Sequence, residues 1–369
     1  MREIEVGQSK RASTAYDFDQ IALVPSRRTR DPENVSINWK IDAFDFSHPI
    51  IAAPADSVVS PQSAQQLSLL GGLAVLNLEG LWTRYADPSD AFNQIASATS
   101  ENLSRVLQQV YRAPIQSELI VARIKELRAA GVVTAASLSP KLTQQYWQQV
   151  VKAGVDLFVI RGATVSAEHV SSESNPLNLK TLIYDLEVPV IVGGCATYQA
   201  ALHLMRAGAA GVLVGFGGGS SGTTTSVLGV KVPMATAVAD VAAARRDYLD
   251  ESGGRYVQVI ADGGVHQTGD IAKAIACGAD AVMVGSMLAR AQEAPGAGIH
   301  WAVEAGHPTL PRAGAIATSA IGSFAEILHG PANSAAGLLN ATGALRRSMA
   351  TCGYSDIKEL QRVEIIVSQ

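Results

Sequence analysis

Residues 257–288 read VQVIADGGVHQTGDIAKAIACGADAVMVGSML. An apolar run, Val257 to Ala261, stops at Asp262-Gly263-Gly264; a helix-compatible run follows, and a second apolar run, Ala281 to Val284, stops at Gly285-Ser286. The pattern predicts two neighbouring parallel strands that each end in a glycine turn. Glycine leaves backbone N–H groups open to an oxyanion, and a helix N-terminus behind the turn adds partial positive charge. In a (β/α)8 barrel, the loops after strands seven and eight are the usual phosphate site. The two turns therefore read as a phosphate cradle, with Asp262 placed to reach a ribose.

The joint inside this stretch, Cys277-Gly278-Ala279-Asp280, recurs upstream as Ala130-Gly131-Val132, Ala153-Gly154-Val155-Asp156 and Ala207-Gly208-Ala209. Each closes a helical run and opens a short apolar one, as in a βαβ unit with Gly as the helix C-cap. Working outward places strands near 50–53, 72–76, 133–137, 157–160, 190–192, 211–214, 257–261 and 281–284. Strands alternating with helices in this number define an α/β fold, a single (β/α)8 TIM barrel. A doubly wound sheet is the alternative, but it binds ligands at a strand-order reversal and not on its last two strands. Residues 1–45 are expected to form an N-terminal strap that crosses the barrel bottom or packs on a neighbour. Residues 46–286 carry the barrel strands, and 287–369 a long lid-like excursion and a C-terminal helix.

Composition bounds the partners. With 47% hydrophobic and 17% charged residues and 33 glycines, the chain suits a fold whose parallel strands are buried on both faces. A net charge of −4 gives no basic footprint for nucleic acid. Residues 207–230 carry no charge but are crowded with Gly, Ser and Thr, so they read as a strand and loop and not as a membrane span. The three cysteines, Cys195, Cys277 and Cys352, are far apart and form no metal-binding pair. Reduced thiols and the lack of an apolar leader predict a cytoplasmic protein with a small-molecule ligand.

Several motifs, in order, resemble the IMP dehydrogenase and GMP reductase barrels. They are Ala15-Tyr16-Asp17-Phe18-Asp19-Gln20-Ile21-Ala22-Leu23-Val24-Pro25, then Ala53-Pro54-Ala55-Asp56 after strand one, then the two glycine turns, and Leu345-Arg346-Arg347-Ser348-Met349 with Cys352-Gly353. The resemblance implies a purine 5'-monophosphate ligand (IMP, XMP or GMP) lying across Ser220, Asp262, Gly264, Gly285 and Ser286. It also implies NAD as cofactor, oxidation of IMP in GMP biosynthesis, and a homo-tetramer or larger assembly. Only about sixty residues separate Leu76 from strand three, too few for the paired CBS module of typical family dehydrogenases. The chain looks like the short, CBS-less bacterial subgroup related to IMP dehydrogenase.

The chain departs from that family on the reaction side. The family's loop Gly-x-Gly-Ser-x-Cys-Thr-Thr corresponds here to Gly217-Gly218-Gly219-Ser220-Ser221-Gly222-Thr223-Thr224, so Gly222 stands where the nucleophilic thiol belongs, with Thr224 behind it. Losing a covalent nucleophile costs on the order of a millionfold in rate, about 8 kcal/mol of barrier. At the nicotinamide side, Arg161 replaces an Asp and Gly194 an Asn, which exchanges acceptors for a donor and for nothing. No Arg-Tyr pair marks a flap, and the tail that helps hold a monovalent cation is not found. Cys195, just beyond strand five, is the one thiol near the predicted mouth. Gly217-Gly218-Gly219-Ser220-Ser221-Gly222 also fits a dinucleotide fingerprint, but no helix opens directly behind it.

Three functions stay open: an oxidoreductase of the IMP dehydrogenase type with an altered site, a purine-nucleotide sensor or regulatory paralogue, and an FMN-binding barrel.

Overall fold

The computed structural model describes residues 3–162, 165, 169, 177–302 and 314–367. The recurring glycine joints act as the sequence predicts. Gly154 caps the helix Pro140–Ala153 in the left-handed region, φ 97°. Gly278, at φ 112°, lies so close to the helix Met234–Glu251 that a Cβ would stand 2.4 Å from Ala242 Cβ. Each joint leads the chain into a buried strand within a few residues.

Eight such strands close into one barrel. They are β1 Ile50–Ala52, β2 Leu73–Asn77, β3 Ala135–Leu138, β4 Leu157–Arg161, β5 Val190–Cys195, β6 Gly211–Val214, β7 Gln258–Asp262 and β8 Ala281–Val284. All neighbours are parallel, and β8 closes on β1 through Val282, Met283 and Val284 beside Ile50, Ile51 and Ala52. The ladder reaches β3 two residues later than the apolar run begins, because Thr134 N–H donates to the Asp156 carboxylate, 2.8 Å away.

Alternation along each strand divides the core in two. Ile51, Val75, Val159, Leu213, Ile260 and Met283 fill the bore, while Ala52, Leu76, Ile160, Val214, Ala261 and Val284 face the surrounding helices. The hairpin Trp39–Ile41 with Phe44–Phe46 plugs the bottom, where Trp39 stacks on Phe46 at 5.1 Å and its Nε1–H donates to Gln258. The ribbon Glu3–Gly7 with Lys10–Ser13 is exposed along its length. Residues 78–134 are filled by the helices Ser89–Ala96, Leu103–Val110 and Ser117–Ala129.

After β8, much of the chain is framework and not lid. The helices Phe324–His329 and Ala341–Thr351 bury Phe324, Ile327, Leu345 and Met349, the second against the helix Thr268–Ala276. Among the described residues beyond Ser286, His300, Trp301 and Ala302, on the first arm of the antiparallel hairpin Ile299–Trp301 with Ala315–Ala317, are those that line the barrel mouth. Pro308 and Pro311 of the predicted excursion lie outside the described residues.

Candidate functional site

A pocket opens at the C-terminal ends of the strands, lined by the loops after β1, β4, β5, β6, β7 and β8 and by His300 and Trp301 of the hairpin. The loop after β6 forms one rim. It is pinned to β7 by Gly264 N–H donating to Gly218 C=O at 2.9 Å, and it closes on itself through a bridge between Phe216 and Val232. Behind it, Asp17 accepts from Met234 N–H and pairs with Lys231, and Tyr16 exchanges hydrogen bonds with Thr236. The N-terminal motif around Tyr16 thus acts as a brace for this loop.

Three loops bring hydroxyls and an imidazole together. Ser220 Oγ lies 3.0 Å from Ser286 Oγ and 3.1 Å from His266 Nδ1. This is the surface the sequence assigns to a phosphate, with His266 added. The helix behind the β7 turn contributes less than expected, because Asp270 in its first turn accepts from the N–H groups of His266 and Gln267, both at 3.0 Å. Its carboxylate offsets the positive end of the helix, so the polar groups of this rim are the seryl hydroxyls, the His266 ring and the glycine backbone.

Asp262 ends β7, and Arg161 ends β4 across the mouth. Arg161 Nε donates to Asp262 Oδ2 at 2.9 Å and its second nitrogen to Oδ1 at 3.4 Å, a forked pair with side chains 24% and 13% exposed. Each carboxylate oxygen keeps a second lone pair for a ribose hydroxyl. The guanidinium therefore braces the group assigned to ribose. Gly194 lines the same pocket and offers no side chain there.

Gly222 also lines the pocket, in a turn in which its N–H donates to Gly219 C=O at 3.0 Å. A Cβ would meet Gly219 O at 3.1 Å, so a side chain fits only if that carbonyl yields slightly. Thr224 is buried at the start of a single π turn, Thr224–Leu228, that ends at Gly229; no long helix follows the glycines.

Cys195 must be withdrawn as a nucleophile. Its thiol is 2% exposed in the layer between barrel and helices, on the face away from the bore, and donates to Leu213 C=O at 3.5 Å. Burial pushes its pKa up to about 12. A neutral, outward-facing thiol reaches no ligand in the mouth. Cys277 is likewise raised to about 12 by burial.

Sequence reasoning missed the hairpin's contribution. His300 is 6% exposed, its Nδ1 lies 2.8 Å from Ser57 Oγ, and burial followed by the nearby Arg161 charge lowers its pKa to about 4. Next to it, Trp301 Nε1–H donates to Tyr111 OH at 2.8 Å, and Tyr111 donates to Asp56. Asp56 also accepts from Leu81 N–H at 2.8 Å. Burial raises its carboxyl to about 6, with Tyr111 pulling the other way. Consecutive residues after β1, Asp56 and Ser57, thus hold consecutive residues of the hairpin. A lone His in a Gly-rich excursion carried no spacing signal that would have found it.

Fold and site together define a (β/α)8 barrel with a polar, glycine-lined mouth at the C-terminal ends of its strands. The IMP dehydrogenase / GMP reductase domain matches residues 15–306. The chain is 50% identical to an uncharacterized oxidoreductase of Mycolicibacterium smegmatis and 49% identical to one of Mycobacterium tuberculosis, over 99% of both chains in each case. It is 37% identical to the inosine-5'-monophosphate dehydrogenase of Thermoplasma acidophilum, over 76% of this chain and 74% of that one. The crystal structure of an IMP dehydrogenase/GMP reductase-like protein from Corynebacterium glutamicum superposes with a TM-score of 0.94 at 45% identity, covering 99% of this chain and 98% of the other. The chain belongs to the IMP dehydrogenase / GMP reductase family. Among the described residues, no helix is long and apolar enough to cross a membrane.

Proposed function

We propose that this barrel binds a purine 5'-monophosphate, with the phosphate at Ser220, Gly264, Gly285 and Ser286 and the ribose hydroxyls on Asp262, and that thiol-dependent oxidation of the base is slow or absent. The observation that carries the reading is the convergence of Ser220, Ser286 and Asp262 from three loops on one pocket whose nucleophile position is Gly222. Phosphate and ribose contacts persist where the covalent chemistry does not.

The family's nicotinamide contact does not fit these residues. A ribose needs acceptors at the ends of β4 and β5, whereas Arg161 presents N–H donors already engaged with Asp262 and Gly194 presents no side chain. A sensor or regulatory paralogue is the role most consistent with a retained binding surface, in the cytoplasm and as a homo-tetramer or larger. Calorimetric titration with IMP, XMP, GMP and AMP, followed by NAD turnover with whichever binds, tests the reading. Absence of nucleotide binding overturns the first half, and robust NADH formation from IMP overturns the second. A flavin-bound, yellow protein on purification would favour the FMN alternative instead.

A further inference from the structure

The rim that holds the phosphate in the reading above carries an imidazole that this reading leaves without a task. His266 Nδ1 lies 3.1 Å from Ser220 Oγ, which lies 3.0 Å from Ser286 Oγ. The loops after β7, β6 and β8 each give one member to this row. His266 and Ser220 are exposed, so solvent protons reach it. Each hydroxyl has one hydrogen to give. With the row bonded only to itself, Ser286 can donate to Ser220 and Ser220 to Nδ1, which a neutral ring with its hydrogen on Nε2 accepts. A phosphate held by both hydroxyls takes both hydrogens. Ser220 Oγ then offers His266 only lone pairs, and the contact survives only if Nδ1 carries a hydrogen.

A neutral ring meets that demand by moving its hydrogen; the imidazolium meets it and adds a positive charge. The charges around the row decide between them. Arg161, which lines the pocket, is matched by Asp262 at 2.9 Å. On the helix Thr268–Ala276, Lys273 is matched by Asp270 at 3.6 Å, and Lys231 beyond the loop after β6 is matched by Asp17. Asp19 on the strap is exposed. Arg290, on the turn Leu288–Arg290 beyond Ser286, bonds to none of the three. The segment 331–340, whose Gly337 accepts from Thr268 N–H, has no titratable side chain. A phosphate dianion at this row thus meets cations already matched by carboxylates, and a proton on His266 compensates part of its charge.

We propose that His266 takes up a proton from solvent when a dianion binds at Ser220 and Ser286, which makes anion binding at the mouth dependent on pH. The proposal rests on the nucleotide-binding reading above. The bound form favours the cation, so affinity is greatest where the ring is already protonated, and it falls as pH rises through the range in which imidazoles titrate.

The test uses the full chain, with IMP to report on the site and inorganic sulfate as the anion probe. Sulfate stays a dianion throughout, whereas a phosphate ester takes up a proton of its own near about pH 6. Competition of sulfate against IMP is measured from about pH 6 to 8, with IMP affinity determined at each pH. Wild-type protein is expected to lose sulfate affinity about three- to tenfold over that range. His266→Gln keeps an N–H for Ser220 but cannot titrate, and a flat profile at the weak, alkaline level is expected. His266→Arg carries a permanent charge, and a flat profile at the tight, acid level is expected. A flat wild-type profile, or the wild-type slope retained in His266→Gln, overturns the proposal while the nucleotide reading stands. Sulfate that leaves IMP binding untouched overturns it by removing the anion from this row. A wild-type protein that binds neither IMP nor sulfate overturns both.

Discussion

Asp262 is the residue on which the proposed binding mode turns. Asp262→Asn keeps its shape but removes the charge that both Arg161 and a ribose use, and nucleotide affinity should fall by about 1.5–3 kcal/mol; unchanged calorimetric affinity would remove the carboxylate from the site. Gly222 makes a second prediction. Wild-type protein should form NADH from IMP slowly or not at all, and Gly222→Cys combined with Arg161→Asp should raise the rate, because the thiol needs both a place and an acceptor for the cofactor ribose. Fast turnover by the wild type, surviving Cys195→Ser, would show a thiol-free route. The replacement at Gly222 was legible from the sequence, because it falls inside an ordered motif. The Arg161 partner was not, since the pair joins residues 101 positions apart and only closure of the barrel brings β4 to face β7. Cys195 was misjudged for a related reason: proximity to the end of β5 says nothing about which face its side chain takes.

At the scale of elements, the Asp56–Tyr111–Trp301 chain holds the hairpin to the loop after β1. Tyr111→Phe leaves a buried carboxylate and an indole N–H short of partners, and a loss of about 1–3 kcal/mol in denaturant unfolding is expected. The same carboxylate shapes the pH dependence. Asp56 binds its proton more tightly folded than unfolded, about 6 against 3.8, so its contribution grows as pH falls through that window. His48 and His300, each lowered from 6.5 to about 4, bind protons less tightly folded, so their contribution is lost as pH falls. Two histidines outweigh one aspartate, and the protein should lose stability from pH 6.5 to 4. Asp56→Asn should lose it more steeply; an unchanged profile in that variant would show that Asp56 does not titrate there. The barrel strands were readable because each follows a glycine-capped helix end and forms a buried apolar run. The hairpin was not, because Ile299–Trp301 is too short to show a period and its partner strand lies beyond a long intervening segment.

For the molecule as a whole, two features lie away from the mouth. Asp280, buried at the barrel bottom, accepts from Arg245, Tyr256, Gln361, Lys358 and Val259 N–H. Burial would raise its pKa, but Arg245 and Lys358 win and hold it below the usual range. Asp280→Ala strands the buried Arg245 guanidinium and should cost about 3–5 kcal/mol; a loss within the range of surface substitutions would show that the cluster is dispensable. The second feature is surface: Ile4 and Val6 on the N-terminal ribbon and Ile366 and Val367 near the other end are exposed apolar side chains. Sedimentation at micromolar concentration should show a tetramer or larger, and a single 38.6 kDa species would rule that out. The clamp between Ser57 and His300 has a consequence for biosynthesis. It joins residues 243 positions apart, so the wall of the mouth is completed only after the ribosome has released the hairpin, well after β8 has emerged. A nascent chain arrested just beyond β8 would hold every barrel strand and both glycine turns, yet its mouth would lack His300 and Trp301; this wall would be added late in synthesis, as a part separate from the barrel itself.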